Sequence, residues 1–257
     1  MAHLIIETGS PTLCMNTSIH VVCPAESPAP SGSTLYLLHG AGDNASTWQR
    51  LTTIEQYAQK YGCTVIMPEA NRSYYTDMEY GLNYFYYITE ELPAFCSRLL
   101  HLNNDPECTY VAGLSMGGYG ALKCALSFPD RYAKAVSLSG VTDIRKRLQD
   151  PAMPPGMRKE MQAVFGTGLE VKPEQDLYAL ADQLQKEADP RRLPSILCCC
   201  GSEDPFIGMN REFASFMEAS HFDFRYVEGP GTHEWRFWEE LLKMTFEFLF
   251  NEKTPTE

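Results

Sequence analysis

Short apolar runs alternate with helix-length amphipathic stretches from residue 35 onward, and this alternation constrains the fold more than any other feature of the chain. It is typical of parallel strands joined by covering helices. Two earlier runs, over 4–7 and 17–22, predict antiparallel strands, with a Pro/Ser-rich turn over 24–32. The predicted parallel strands are 35–38, 64–67, 110–114, 135–138, 195–200 and 224–227, and the predicted helices are 48–61, 85–102, 118–128, 210–220 and 234–250. The fold class is therefore α/β, with a mostly parallel central sheet and helices on both faces.

One stretch interrupts this alternation. Residues 142–192 contain no clear strand and include five prolines, so they predict short helices with irregular joints. No repeat, low-complexity tract or linker divides the chain. We expect residues 1–257 to form a single domain, with 142–192 as a partial cap insertion over one end of the sheet.

The charge balance and the cysteines limit the partners and the compartment. With 33 acidic and 21 basic residues the net charge is −12, which does not favour nucleic acid or an anionic membrane as a partner. No apolar stretch approaches a membrane span, and the N-terminus lacks a signal-peptide pattern. Nine scattered cysteines indicate reduced thiols, so we expect a cytoplasmic protein. Adjacent residues of a strand face opposite sides, so Cys198, Cys199 and Cys200 predict core packing and no metal site.

Ser115 lies in the sequence Gly-Leu-Ser-Met-Gly, between an apolar run and a stretch of small residues that predicts a helix start. A serine on so tight a turn has a strained backbone, and Gly113 and Gly117 remove the side chains that would keep strand and helix apart. This context predicts a nucleophile elbow. The N–H of Met116, at the helix start, is then a natural donor to an oxyanion.

A serine nucleophile needs a base and a group that orients the base. His233 lies in a glycine-rich loop between the last apolar run and the final helix, which makes it the candidate base. Asp204 follows the preceding run directly and is the candidate acid, with Glu203 as its near alternative. The order Ser115, Asp204, His233 is the order of the α/β-hydrolase fold.

The loop over 39–43 follows the first parallel strand and supplies the second oxyanion donor expected in this fold. Gly40 and Gly42 let the backbone turn inward beside the substrate, and the N–H of Ala41 is predicted to point at the same oxygen as that of Met116. His39 is interpreted as a packing or orienting residue.

Several motifs together extend over nearly the whole chain: 39–41 with Trp48, 80–85 leading to 90–93, 113–118, and 233–235 with 237–238. In these motifs the chain resembles the esterase D branch of the α/β-hydrolases. That branch includes S-formylglutathione hydrolases, bacterial tributyrin-type esterases and some feruloyl esterases. The loop 39–43 reads His-Gly-Ala-Gly-Asp, where S-formylglutathione hydrolases typically carry a Ser-Gly-Leu-Thr-Cys type of motif, which favours the tributyrin-type esterases.

The resemblance implies a cofactor-free hydrolase of esters or thioesters with small acyl groups. It implies Ser115 as nucleophile, His233 as base and then acid, Asp204 as the orienting group, and Ala41 and Met116 as oxyanion donors. It also suggests Tyr84 as the aromatic residue nearest the acyl or alcohol pocket, and a homodimer or homotetramer.

The activity predicted from these residues is that of a serine carboxylesterase acting on short-chain acyl esters, acetyl to butyryl, including acylated carbohydrates. S-formylglutathione hydrolase and feruloyl esterase activities remain alternatives. An acyltransferase of the mycolyltransferase type and a non-catalytic binding module are more distant ones.

Overall fold

The computed structural model describes residues 1–24, 32–103, 105–187, 189 and 192–250. Its centre is an eight-stranded sheet in the order β1-β2-β4-β3-β5-β6-β7-β8. The strands are β1 (Ala2–Ser10), β2 (Met15–Cys23), β3 (Ser33–Leu38), β4 (Cys63–Pro68), β5 (Thr109–Leu114), β6 (Lys134–Leu138), β7 (Ser195–Gly201) and β8 (Phe224–Gly229). β1 pairs antiparallel with β2, and β2 pairs antiparallel with β4. The remaining neighbours, in the order β4-β3-β5-β6-β7-β8, are all parallel.

Every predicted strand is present, and the fold is the predicted α/β-hydrolase type, with a mostly parallel sheet. Side chains alternate between the two sides of a strand, so each parallel strand contributes to two cores. In β3, Leu35 and Leu37 face one core, whereas Tyr36 and Leu38 face the other. Strands buried on both faces require covering helices on both faces, as the apolar runs predicted.

The helices of the described residues are α1 (Thr47–Leu51), α2 (Ile54–Tyr61), α3 (84–100), α4 (Met116–Ser127), α5 (Ile144–Gln149), α6 (Pro155–Phe165), α7 (Leu177–Glu187), α8 (Ile207–Glu218) and α9 (Trp235–Phe250). α3 begins as Tyr84–Tyr86, passes through a π-helical turn over Tyr87–Glu91 and ends as Leu92–Leu100. Short 3₁₀ turns lie at Pro106–Cys108 and Pro173–Gln175. α1, α2 and α9 contribute to one core, and α3, α4 and α8 to the other.

The prediction of one helix over 48–61 was wrong. Thr52 is extended, with φ −138° and ψ 167°, and its hydroxyl donates to the carbonyl of Trp48, so α1 ends before α2 begins. A threonine hydroxyl that bonds to the nearby backbone competes with the helical pattern, and a second β-branched residue, Thr53, follows.

Between β6 and β7 the chain forms α5, α6, a 3₁₀ turn and α7, which are the short helices predicted for 142–192. Residues 188, 190 and 191 of this segment, and most of the predicted turn over 24–32, lie outside the described residues. The division into one domain with a partial cap stays a prediction. None of the helices within the described ranges has the length and apolar character needed to cross a membrane.

Candidate active site

Ser115 occupies the sharp turn between β5 and α4. Its φ of 53° and ψ of −116° lie in a region that costs a side-chain-bearing residue about 1–3 kcal/mol. Its N–H donates to the carbonyl of Leu138 at 2.9 Å, which fixes the turn to the neighbouring strand. A Cβ at Gly113 would lie 2.3 Å from the carbonyl oxygen of Gly117, and a Cβ at Gly117 would lie 2.3 Å from that of Leu38. Both glycines of the predicted elbow are therefore required by close backbone approach.

The structure brings the three predicted triad residues together. Nε2 of His233 lies 3.0 Å from Oγ of Ser115, and Nδ1 of the same ring lies 2.8 Å from Oδ2 of Asp204. Each residue follows the carboxyl end of a strand, β5 for Ser115, β7 for Asp204 and β8 for His233, where open α/β sheets assemble their sites. Glu203, the alternative acid, is exposed and lacks this contact with His233.

Asp204 is held as a carboxylate in a buried position. It is 1% exposed, and burial alone would raise its pKa. The hydrogen bond with His233, the N–H of Phe206 at 2.8 Å from Oδ1, the charge of the imidazole and the hydroxyl of Ser139 outweigh burial, so the pKa of Asp204 is lowered. The site therefore keeps a charged group opposite Nδ1 of His233.

Two aromatic rings and one serine hold this arrangement in place; of the three, the sequence analysis named only Trp238, as part of a family motif. The rings of Phe206 and Trp238 meet the His233 ring edge-on, with centroids 5.0 and 4.9 Å away. The indole N–H of Trp238 donates to Oγ of Ser139 at 3.2 Å, and the Ser139 hydroxyl contributes to lowering the pKa of Asp204. His233 thus packs against both rings, and its side chain is 25% exposed.

The predicted oxyanion loop packs directly against the nucleophile. A Cβ at Gly40 would lie 2.7 Å from Cδ1 of Leu114 and 3.6 Å from Cβ of Ser115, so a larger residue here would displace the Leu114 side chain. The N–H of Gly40 donates to Oδ2 of Asp43 at 3.1 Å, which closes the loop around Ala41. Met116 is the first residue of α4, so its N–H has no acceptor within the helix.

His39 has the orienting geometry interpreted from the sequence. Its ring is buried, Nδ1 donates to the carbonyl of Gly40 at 2.8 Å, and Nε2 accepts the N–H of Ala70 at 3.0 Å. These partners place a ring proton on Nδ1. A histidine used in this way is a support for the loop and has no free nitrogen for proton transfer.

The segment over 69–76 makes two further contacts with the oxyanion loop. The hydroxyl of Tyr75 donates to the carbonyl of His39 at 2.9 Å, and Nη1 of Arg72 donates to the carbonyl of Ala41 at 2.8 Å. Arg72 also forms an ion pair with Glu160 of α6, with 2.7 Å between Nη2 and Oε2. The segment over 69–76 therefore holds the carbonyls of both neighbours of Gly40, those of His39 and Ala41.

Tyr84, the predicted pocket residue, is the first residue of α3. It is 3% exposed, packs in the core and accepts a hydrogen bond from Nδ2 of Asn71. No hydrogen bond or ring contact within the described ranges links it to Ser115, Asp204 or His233, so its role in substrate binding stays a prediction. A surface cavity of about 450 Å³ is lined by Phe206, whose ring contacts His233, and by Arg147 of α5.

A serine on a strained strand-to-helix turn, carried by a mostly parallel eight-stranded sheet with helices on both faces, places this protein among the serine hydrolases of the α/β-hydrolase class. Residues 10–249 match the Esterase family, described as "Putative esterase", and the chain belongs to this family. The predicted resemblance to the esterase D and S-formylglutathione hydrolase branch is confirmed, and the protein is a carboxylic ester hydrolase.

Relatives match the chain along almost its whole length. An acetyl esterase of Caldicellulosiruptor saccharolyticus is 29% identical over 97% of this chain and 98% of its own. The substrate-bound structure of FphF, a fluorophosphonate-binding serine hydrolase of Staphylococcus aureus, superposes with a TM-score of 0.88, at 30% identity over 98% and 99% of the two chains. The S-formylglutathione hydrolase FrmB of Staphylococcus aureus has a TM-score of 0.85, at 31% identity over 97% and 99%.

Proposed function

We propose that this chain is a serine carboxylesterase that hydrolyses short-chain acyl esters, with Ser115 as nucleophile, His233 as base and Asp204 as the group that orients the base. The observation that carries the proposal is the continuous hydrogen-bonded series from Oγ of Ser115 through His233 to Asp204, at 3.0 and 2.8 Å. Hydrogen-bond contact between nucleophile and base is the geometry that general-base activation of a serine requires.

In acylation, Oγ of Ser115 attacks the ester carbonyl while Nε2 of His233 takes the hydroxyl proton. The carbonyl oxygen becomes an oxyanion between the N–H groups of Ala41 and Met116, next to the positive end of the α4 dipole. His233 then returns the proton to the departing alcohol. Asp204 keeps the ring in the required tautomer and stabilises the imidazolium.

In deacylation, a water molecule replaces the alcohol. His233 removes a proton from this water, the second tetrahedral oxyanion forms between the same two N–H groups, and Ser115 leaves with the proton that His233 returns. Every step uses groups of this chain.

A short acyl group is the proposed substrate feature, and the full-length similarity to an acetyl esterase supports it. The tight contact of Gly40 with Leu114 and Ser115 also keeps the oxyanion loop close to the nucleophile. Differences of single methylenes in an apolar pocket change specificity by about 10- to 200-fold, so a chain-length series resolves the preference.

The test is hydrolysis of p-nitrophenyl esters from acetyl to octanoyl, with methyl ferulate and S-formylglutathione, by wild type and by Ser115→Ala. We expect a short-chain maximum that Ser115→Ala loses by several orders of magnitude. Covalent labelling by a fluorophosphonate, read as a mass increase on wild type only, checks the nucleophile independently. Retained activity or labelling in the alanine variant would contradict the assignment.

A second candidate is hydrolysis of S-formylglutathione, which the similarity to FrmB favours. The same panel separates the two, because a thioesterase has its highest kcat/KM on S-formylglutathione and an esterase has it on an oxygen ester. Acyl transfer to an added alcohol, measured as the ratio of new ester to free acid, separates hydrolysis from the mycolyltransferase alternative.

A cytoplasmic location belongs to this proposal, and the nine free thiols support a reducing compartment. A homodimer or homotetramer stays a prediction from the family resemblance. Sedimentation of a monomer at assay concentration would contradict it.

A further inference from the structure

Lys123 is a buried lysine that the proposed mechanism does not use. It lies on α4, two helical turns beyond Ser115, and is 2% exposed. Lysine is almost never fully buried unless it is paired, yet no carboxylate of the described residues forms a salt bridge with this ammonium. Its partners are instead the carbonyl of Tyr75 at 3.2 Å, Oγ1 of Thr76 at 3.2 Å, and the ring of Phe85, whose centroid is 3.9 Å away.

The Lys123 ammonium holds a strained turn. Tyr74 and Tyr75 have φ values of 52° and 47°, two consecutive aromatic residues in the left-handed region that favours glycine. Such a conformation persists only where the surroundings enforce it. The bond from Lys123 fixes the Tyr75 carbonyl. The absence of a side chain at Gly120 leaves space for the Tyr75 ring, since a Cβ there would lie 2.5 Å from that ring.

The strained turn in turn holds the oxyanion loop. It directs the hydroxyl of Tyr75, which is fully buried, to the carbonyl of His39 at 2.9 Å. His39 directly precedes Gly40 and Ala41, so the position of this carbonyl influences where the Ala41 N–H points. The other proposed donor, Met116, is the first residue of the helix that carries Lys123. Lys123 therefore connects the elements that supply the two oxyanion donors.

We propose that Lys123 is a positioning residue for the oxyanion hole, acting through Tyr75 on the loop that carries the Ala41 N–H. The inference rests on the proposed roles of Ser115 and this loop. Loss of the ammonium leaves the contacts among Ser115, His233 and Asp204 intact but frees the turn under the loop. The loop then no longer holds its donor at the distance that the transition-state oxyanion needs.

The first experiment compares Lys123→Met with Lys134→Met. Lys134 is a matched control, because its ammonium also donates to a carbonyl, that of Phe248 at 2.8 Å, and lies over the ring of the same residue. It begins β6, at the opposite end of the sheet from Ser115. Loss of one oxyanion donor typically lowers kcat by about 10²- to 10³-fold, so a displaced donor is expected to lower kcat by about 10- to 100-fold. We expect this loss in Lys123→Met with KM nearly unchanged, and a kcat near wild type in Lys134→Met.

A second readout separates positioning from general loss of structure. Oγ of Ser115 adds to the carbonyl carbon of a trifluoromethyl ketone while His233 takes the hydroxyl proton, and the C=O double bond opens to an oxyanion in the same hole. Binding of this ketone therefore reports on transition-state stabilisation. In Lys123→Met the affinity for this ketone is expected to fall by the same factor as kcat/KM. The rates are expressed per active site, counted by titration with a fluorophosphonate. Unchanged affinity for the ketone, or a loss of kcat no larger than in Lys134→Met, would overturn the inference.

Tyr75→Phe tests the intermediate step and keeps the inference testable if Lys123→Met does not fold. It removes only the hydroxyl that reaches His39, and Tyr110→Phe is its control, since the Tyr110 hydroxyl donates to the carbonyl of Glu107 at the far end of the sheet. We expect Tyr75→Phe to lower kcat and the affinity for the ketone together. In the double variant with Lys123→Met, we expect the fold-loss of kcat to be smaller than the product of the two single fold-losses. A double-variant loss equal to the product of the single losses, or a wild-type kcat in Tyr75→Phe, would overturn the inference. Activity retained by Ser115→Ala would instead contradict the proposed function itself.

Discussion

Replacing Lys123 by methionine is expected to make the difference in folding stability between the variant and wild type depend on pH. Burial lowers the pKa of Lys123 from its ordinary value of 10.5 to about 8, and the opposing electrostatic effects of Cys124, Asp77 and Glu174 offset only part of this. The native state therefore releases this proton at lower pH than the unfolded chain does. Methionine has a similar length and no charge, so the variant lacks this titration.

The sign and the size follow from linkage between protons and folding. Between about pH 8 and pH 10.5 the unfolded chain binds more protons at this lysine than the native state does, so the free energy of unfolding rises with pH. Below this window the buried charge costs about 3 kcal/mol, and above it the cost disappears. From near pH 7 to near pH 9.5, wild type is expected to gain about 2 kcal/mol relative to Lys123→Met.

The assay is urea unfolding of both proteins at several pH values and constant ionic strength, followed by tryptophan fluorescence and circular dichroism. Other titrating groups are common to both proteins, so they largely cancel in the difference. The free energy of unfolding must depend on urea concentration with the same slope in both proteins, because only then does its difference measure the change in stability. A difference that is constant to within about 0.5 kcal/mol over this range, or that moves in favour of methionine, would refute the lowered pKa of Lys123.

Three further substitutions test other parts of the site. Asp204→Asn is expected to lower kcat by about 10³- to 10⁴-fold in steady-state assays while leaving the thermal midpoint near that of wild type, because it favours the wrong tautomer of the base. Trp238→Phe removes the N–H that reaches Ser139 but keeps a ring in place, so we expect a loss of kcat of about 3- to 10-fold, and unchanged kcat would contradict this network. Gly117→Ala places a Cβ 2.3 Å from the carbonyl oxygen of Leu38, and we expect it to abolish soluble folded protein, as judged by gel filtration and circular dichroism.

The sequence predicted the elements whose signals are local. The buried strands are continuous apolar runs, and their observed bounds differ from the predicted ones by no more than two residues. Ser115, Asp204 and His233 each come soon after such a run, and parallel strands bring their carboxyl ends to one edge of the sheet. For this reason the contacts among the three residues could be predicted from the sequence.

The parts that sequence reasoning missed depend on residues far apart in the chain. Nothing near Lys123 identifies the partners of its ammonium, because they lie about 48 positions away and become available only when the turn at Tyr75 packs on α4. Ser139 was missed for the same reason, since it is 99 positions from its donor Trp238. The break between α1 and α2 was local, and the pair Thr52 and Thr53 was the signal that periodicity alone did not weigh.

Arg72 joins the oxyanion loop to α6, through the carbonyl of Ala41 on one side and Glu160 on the other. A connection of this kind is reciprocal, because whatever favours one position of the loop favours the matching position of the helix by the same free energy. Occupation of the oxyanion hole is therefore expected to slow amide hydrogen exchange in α6, although the helix contributes no N–H to that hole. The reaction at Ser115 could then be followed by amide hydrogen exchange in α6, to which the Arg72 guanidinium connects the loop.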